Sequence, residues 1–120
     1  MNVRTAIIPV AGFGTRMLPA SRSVPKVMLP VMDTPVVHLA VQEAVEAGIE
    51  HIVFVVSEGQ DAIRNYFEYL PGLEKVLAVK GDTEMLERML AIPKLVEFSY
   101  VKQHQPLGLG HAILTAAEIL

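Results

Sequence analysis

Short apolar runs alternate along the chain with segments in which apolar residues recur at helical spacing. The runs cover residues 5–10, 51–56 and 95–101. The first two are almost wholly apolar, which is typical of strands buried on both faces of a sheet. The third alternates Val96, Phe98 and Tyr100 with polar residues, so we predict a strand with one less buried face.

Helical spacing and end signals predict the segments between these strands. Asp33-Thr34-Pro35 predicts a helix cap followed by proline at the first helical position, and Gly48 ends that helix. A capping-box pattern at residues 57–60 predicts a second helix, which Pro71-Gly72 breaks. We predict a helical insertion of two short pieces at residues 73–92, separated by Gly81-Asp82, and an apolar helix at residues 111–120. The inner faces of the insertion are predicted to carry Leu73, Val76, Leu77, Leu86, Met89 and Leu90.

Strands that alternate with helices predict an α/β fold built on a parallel sheet. Ligands of such sheets bind beyond the carboxyl ends of the strands. Two glycine-bearing loops, at residues 11–16 and 103–110, follow the first and third predicted strands. We therefore expect both loops to meet at one ligand.

Length and composition limit the class of protein. The chain has 120 residues, so it forms one domain at most, and 52% of them are hydrophobic. No apolar run approaches the roughly 20 residues that span a bilayer, so no membrane partner is predicted. There are no cysteines, and the N-terminus lacks the apolar core of a signal peptide. We expect a cytoplasmic protein.

Charge is distributed unevenly along the sequence. Residues 1–32 carry a charge of +4 with no acid, whereas residues 33–120 carry −7. A basic, glycine-bearing loop on an acidic molecule indicates a local anion site rather than a nucleic-acid surface, which would need a wide basic face. The alternative is that these bases are solvated loop charges.

The candidate residues suit a nucleotide. Gly12 and Gly14 allow backbone amides to approach an anion, although a tight turn that binds nothing would use them too. Arg16 offers a planar fork and Lys26 a point charge for phosphate oxygens. The amide of Gln103 donates and accepts, as the edge of a pyrimidine requires, but a surface role is the alternative. The four histidines lack ligand spacing, so no metal ligand is predicted in this chain.

The segments "VAGFGTRMLPASRSVPKVMLPVMDTP" and "QHQPLGLGHA" resemble the signature of the bacterial UTP-glucose-1-phosphate uridylyltransferases. The resemblance extends over the whole chain and implies the Rossmann-like nucleotidyltransferase fold, with helices on both faces of the parallel sheet. The chain has Val27 where that family has glutamate and Leu107 where it has lysine. These departures leave a different sugar phosphate open.

The resemblance also implies a role for each matching position. Two catalytic residues are implied, Arg16 and Lys26. The nucleotide-binding residues implied are Ala11 and Gly12 at the nucleoside, Gly14 and Thr15 with Arg16 at the triphosphate, and Gln103 and Gly108 at the uracil.

The implied reaction is in-line attack by a sugar 1-phosphate on the α-phosphorus of UTP, with Mg²⁺ bridging the phosphates. In the family the magnesium-binding aspartates follow the segment that matches this chain. We therefore expect the chain to be the N-terminal, nucleotide-binding part of a longer enzyme, inactive by itself and self-associating through the edge of its first strand. A non-catalytic nucleotide-binding or scaffolding module with the same fold is the alternative.

Overall fold

Three parallel strands form the centre of the protein in a computed structural model. The structure describes residues 3–10, 18–22, 24–57, 61–68, 71–103 and 108–117. The elements run in the order β1 (Thr5–Pro9), β2 (Pro30–Val31), β3 (Thr34–Pro35), α1 (Val36–Glu46), β4 (His51–Ser57), α2 (Ala62–Phe67), α3 (Pro71–Lys80), α4 (Thr83–Leu95), β5 (Glu97–Gln103) and α5 (Leu109–Ala117), with short 3-10 turns at Ala20–Arg22 and Lys26–Met28.

Strand β4 lies between β1 and β5 and pairs with both in parallel. Pro9 is the partner of Val55, and Ser57 is the partner of Gln103. The carboxyl ends of all three strands therefore lie at one edge of the sheet. The pattern-based prediction of a parallel α/β sheet is confirmed.

Helices cover both faces of the sheet. The side chains of β4 alternate between these faces and pack into two separate clusters. Ile52, Phe54 and Val56 belong to the larger cluster, together with buried residues of α1, α2 and α4. Val53 and Val55 face the other way and pack with Ala112 and Ala116 of α5. Burial on both faces explains the continuous apolar run of this strand.

Aromatic packing gives the larger cluster its centre at Phe54, whose side chain is fully buried. Its ring stacks on Phe67, Phe98 and Tyr100 with centroid separations of 5.6, 5.8 and 5.6 Å. The predicted alternation in the third strand is confirmed, because Phe98 and Tyr100 pack on the same cluster as buried Val96.

The predicted start of the first helix is wrong. Thr34 and Pro35 pair in the β2–β3 hairpin, α1 begins at Val36, and no side chain caps it. Thr34 and Pro35 take part in the pairing with β2, so the first helix starts one residue later than predicted. The helix predicted from the capping box is present as α2 (Ala62–Phe67), Ser57 is the last residue of β4, and residues 58–60 of the box lie outside the described residues.

The helical insertion has the predicted two-helix form. Pro71 begins α3 instead of only ending α2, and Gly81, with a φ of 74°, separates α3 from α4. The side chain of Asp82 caps α4 by accepting a hydrogen bond from the Met85 amide at 3.1 Å. The predicted inner face of α3 is incorrect in part, since Leu73 is 42% exposed and Val76 48% exposed.

Among the described residues, no helix is long and apolar enough to cross a membrane.

The packing predicts that Phe54→Ala lowers the free energy of unfolding by about 3–5 kcal/mol, because it leaves a cavity among three aromatic rings. Val79→Ala is the control, since Val79 is 88% exposed and its truncation should change the unfolding free energy by less than about 0.5 kcal/mol. Urea denaturation measures both, with Phe54→Leu as a milder variant if Phe54→Ala fails to fold. Equal losses for Phe54→Ala and Val79→Ala would contradict the packing.

Candidate functional site

The two predicted ligand loops leave the same edge of the sheet. Val10, directly after β1, is buried, and its amide donates to the Val55 carbonyl of β4 at 2.9 Å. Gln103 ends β5 on the other side of β4. The backbone on both sides of β4 is thus directed to one edge, which is where parallel sheets bind ligands.

Five of the predicted site residues lie outside the residues that the structure describes. They are Ala11, Gly12, Gly14, Thr15 and Arg16. Their predicted roles at the nucleoside and the triphosphate remain predictions. Lys26, Gln103 and Gly108 lie within the described part of the chain.

Gln103 is a buried polar residue at the carboxyl end of β5, with 5% of its surface exposed. Its amide nitrogen lies 2.8 Å from Nδ1 of His111 and 3.5 Å from the Gly108 carbonyl oxygen. The amide nitrogen can only donate, so Nδ1 of His111 accepts and the ring proton is on Nε2. The orientation of the planar amide is therefore set before any ligand arrives, and the alternative of a surface side chain is excluded.

Gly108 lies directly before α5 and has a φ of 92°. Among the described residues, no atom lies within 4 Å of a Cβ placed here, and it is the positive φ that favours glycine. The Gly108 carbonyl accepts the amide of Ala112 at 3.1 Å, which begins the hydrogen bonding of α5. Gln103 and Gly108, which sequence analysis assigned to the same base, are thus brought together.

Lys26 is exposed, and the residues that follow it are anchored. It begins a 3-10 turn in which the Met28 amide donates to the Pro25 carbonyl at 2.8 Å. Val27 and Met28 pack on the larger core cluster. The backbone of an exposed lysine is therefore anchored, and no hydrogen bond or ion pair within the described ranges joins Lys26 to Gln103 or Gly108.

An arginine that sequence analysis did not single out contacts the hairpin after Lys26. Arg88 of α4 donates from Nη1 to Oδ2 of Asp33 at 3.0 Å and from Nη2 to Oδ1 at 3.2 Å. Nη2 also donates to Oγ1 of Thr34 at 2.7 Å, and this hydroxyl donates to Oδ1 of Asp33 at 2.9 Å. Asp33 therefore serves as the acceptor of a bidentate ion pair rather than as a helix cap.

The hydrogen bonds from Arg88 and then Thr34, with the charge of Arg88, lower the pKa of Asp33 from 3.8 to about 2. A carboxyl with a lowered pKa in the folded state stabilises the fold above its ordinary pKa and loses that contribution as the pH falls toward the lowered value. The ion pair is thus complete at neutral pH and weakens between about pH 4 and pH 2.

Beside this ion pair, the hydroxyl of Tyr66 and Nδ1 of His38 are hydrogen-bonded at 2.7 Å. Burial, and secondarily the charge of Arg88, lowers the pKa of His38, so its imidazole is neutral at neutral pH. Both side chains line a mostly apolar cavity of about 370 Å³ between the insertion and helices α1 and α2, which Arg88 and Asp33 also border.

A metal-binding cluster is absent from the described residues, where no three histidine or acidic side chains are grouped to hold an ion. The described residues therefore do not make a magnesium site by themselves. The chemistry they can perform is recognition of a base edge by Gln103 and attraction of phosphate by Lys26.

Comparison with known proteins agrees with this arrangement. The chain is 47% identical over 119 residues to the UTP-glucose-1-phosphate uridylyltransferase of Bacillus subtilis strain 168, and 42% identical over 120 residues to UTP-glucose-1-phosphate uridylyltransferase 1 of Staphylococcus saprophyticus. These matches cover 99% and 100% of this chain but 41% and 42% of the relatives, so the chain spans less than half of their length.

Solved structures give the same result. A UDP-glucose pyrophosphorylase from Acinetobacter baumannii matches with a TM-score of 0.92 and 45% identity, and a UTP-bound UGPase from that organism with a TM-score of 0.92 and 44% identity. Each match covers 98% of this chain and 42% of the other. The family described as nucleotidyl transferase matches residues 5–120. The chain belongs to the nucleotidyl transferase family.

Proposed function

We propose that this chain supplies the nucleotide-binding part of an enzyme that transfers the uridylyl group of UTP to glucose 1-phosphate, giving UDP-glucose and pyrophosphate. The observation that carries the proposal is the buried amide of Gln103, which His111 and Gly108 orient at the carboxyl edge of the sheet. Because the amide nitrogen donates to His111 and Gly108, the amide oxygen is the group proposed to accept the N3–H of uracil. Similarity to uridylyltransferases supports the choice of UTP.

In the proposed reaction, an oxygen of the sugar 1-phosphate attacks the α-phosphorus of UTP in line with the bond to the leaving pyrophosphate. The protein binds two polyanions side by side and compensates the charge that moves onto the leaving group. Lys26 supplies a positive charge for phosphate oxygens, and the backbone amides near Gly12 and Gly14 with Arg16 hold the triphosphate. The described residues have no nucleophile assigned to this reaction, and transfer in one step requires none.

Magnesium remains part of the proposal for the whole enzyme, where it would neutralise phosphate charge. We assign none of the described residues to the ion and derive no step through it. A cytoplasmic location and the lack of a nucleic-acid partner are likewise proposed, the second because the net charge is −3.

The reaction class is tested in the whole protein by measuring pyrophosphate release with UTP and a panel of sugar 1-phosphates. Fastest turnover with glucose 1-phosphate supports the proposal. Faster turnover with another sugar 1-phosphate would change the proposed acceptor but keep the proposed reaction class. Failure to release pyrophosphate with any acceptor would favour the non-catalytic module instead.

Lys26→Ala and Arg16→Ala are each expected to lower kcat in the whole enzyme by about 10²–10³, the effect of removing one group that stabilises transition-state charge. Lys80→Ala is the matched control, because Lys80 is an exposed lysine at the end of α3 and should keep the wild-type rate. Initial rates of pyrophosphate release measure these effects. A near-normal rate for Lys26→Ala or Arg16→Ala would exclude that residue from the mechanism.

Gln103→Ala is expected to lower the ratio of kcat/KM for UTP to that for ATP by about 2- to 10-fold, since one hydrogen bond from the base to the amide oxygen contributes roughly 0.5–1.5 kcal/mol. Ser99→Ala is the control. Ser99 lies nearer the amino end of β5, where its hydroxyl is hydrogen-bonded to Nε2 of His51 at 2.7 Å. If Gln103→Ala leaves the ratio unchanged, the base is read by other groups.

Self-association of the 120-residue chain on its own is also proposed. Within the described residues, β1 pairs with β4 along one edge and with no strand along the other. An open strand edge is a template for pairing between chains. Light scattering is expected to give at least twice the chain mass of 13.1 kDa. A mass of 13.1 kDa that persists at high concentration would contradict it.

A further inference from the structure

Arg88 joins the helical insertion to the hairpin that follows Lys26. Its guanidinium makes three hydrogen bonds, two to the Asp33 carboxylate and one to the Thr34 hydroxyl. Thr34 is buried, whereas the side chain of Arg88 is 47% exposed. Isolated exposed ion pairs contribute little, but a bidentate arginine fork fixes the geometry of its acceptor.

Backbone hydrogen bonds connect this hairpin to Lys26. The Leu29 amide donates to the Lys26 carbonyl at 3.1 Å, and the Val36 amide donates to the Leu29 carbonyl at 3.2 Å. β2 and β3 pair between these two bonds, with Val31 opposite Thr34. A displacement of the hairpin is therefore transmitted through two hydrogen bonds to the turn that carries the lysine.

The hairpin needs an external contact because its turn is strained. Met32 has a φ of 60°, a conformation that residues other than glycine rarely adopt, and the residue is 95% exposed. Strained backbone persists when the surrounding structure determines it. The core does not cover Met32, so the neighbouring contacts of Asp33 and Thr34 supply that constraint.

Helix α4 is a firm base for such a contact. Asp82 caps its start, and Ile92, one turn beyond Arg88, is buried in the larger core cluster. Arg88 thus extends from a helix fixed to the core toward a hairpin with few core contacts of its own.

We propose that Arg88 is a positioning residue for uridylyl transfer, holding the β2–β3 hairpin through Asp33 and Thr34 and thereby fixing the backbone that presents Lys26. This inference rests on the proposed function of Lys26. It gives the helical insertion a role in the reaction, although Arg88 itself touches no substrate.

The first test measures kcat and KM for UTP and glucose 1-phosphate in the whole enzyme carrying Arg88→Met. We expect kcat to fall roughly 3- to 30-fold, the size of coupling exerted by residues away from a ligand, with both KM values nearly unchanged. Arg88→Lys should restore part of kcat, because it keeps the charge but not the fork. Arg4→Met is the matched control, since Arg4 forms an exposed ion pair with Glu50 at the amino end of the sheet.

An unchanged kcat in Arg88→Met, or an equal fall in Arg4→Met, would overturn the proposal. So would a rise in KM at constant kcat, which indicates a binding role. Asp33→Asn provides a second variant, and its effect on kcat should not add to that of Arg88→Met, because both remove the same contact.

The second test does not depend on activity. Amide hydrogen exchange at Leu29 and Val36 should quicken in Arg88→Met and not in Arg4→Met, while exchange in β4 stays unchanged. Unchanged exchange at Leu29 and Val36, or faster exchange throughout β4, would overturn the proposal by showing no local contact or only global destabilisation. If the wild-type enzyme transfers no uridylyl group, the proposed function fails, and hydrogen exchange still decides whether Arg88 holds the hairpin.

Discussion

The parallel pairing of β1 and β5 with the two edges of β4 is the constraint on which the rest of the structure depends. Parallel strands need crossover connections, so every strand enters the sheet at the same edge and leaves at the other. The segments after Val10 and Gln103, distant in sequence, therefore begin near each other. β4 can hold this central place because both its faces are covered, by α1, α2 and α4 on one side and by α5 on the other.

Near that edge, contacts with neighbouring residues fix the positions of the candidate ligand-binding groups. The amide of Gln103 is oriented by His111, and the conformation before α5 is permitted by Gly108. Lys26 differs from Gln103, because the residue is exposed and only its backbone is anchored. Fixing such groups before binding reduces the entropy lost when a ligand is bound.

Much of the fold could be predicted because its signals are local. Three features each predict their element or turn from a few neighbouring residues: the apolar run of β4, the alternation in β5 and the glycine between α3 and α4. A prediction was wrong where a side chain binds a residue distant in sequence instead of capping the helix beside it. Asp33 has the chemistry of a helix cap but pairs with Arg88, which is 55 residues away.

The candidate site was predictable to the extent that its chemistry is carried by residue type. Gln103 stood out as an amide at the end of a strand, Gly108 was implied by the family resemblance, and the structure places the two together. His111 was not assigned to the site, because nothing in the sequence states that its Nδ1 accepts a hydrogen bond from Gln103. No pattern in the sequence singles out Arg88, because its contacts with Asp33 and Thr34 depend on the packing of α4 beside the hairpin.

A nitrogen-15 NMR titration with UTP tests most directly whether the carboxyl edge of the sheet binds the nucleotide. The largest shift changes are expected at the amides of Gln103 and Gly108, next to the proposed base contact. The amides of Glu50 and Glu97, near the amino ends of β4 and β5, should not move. Shift changes confined to the amino ends, or no change at the carboxyl edge at saturating UTP, would contradict the proposed site.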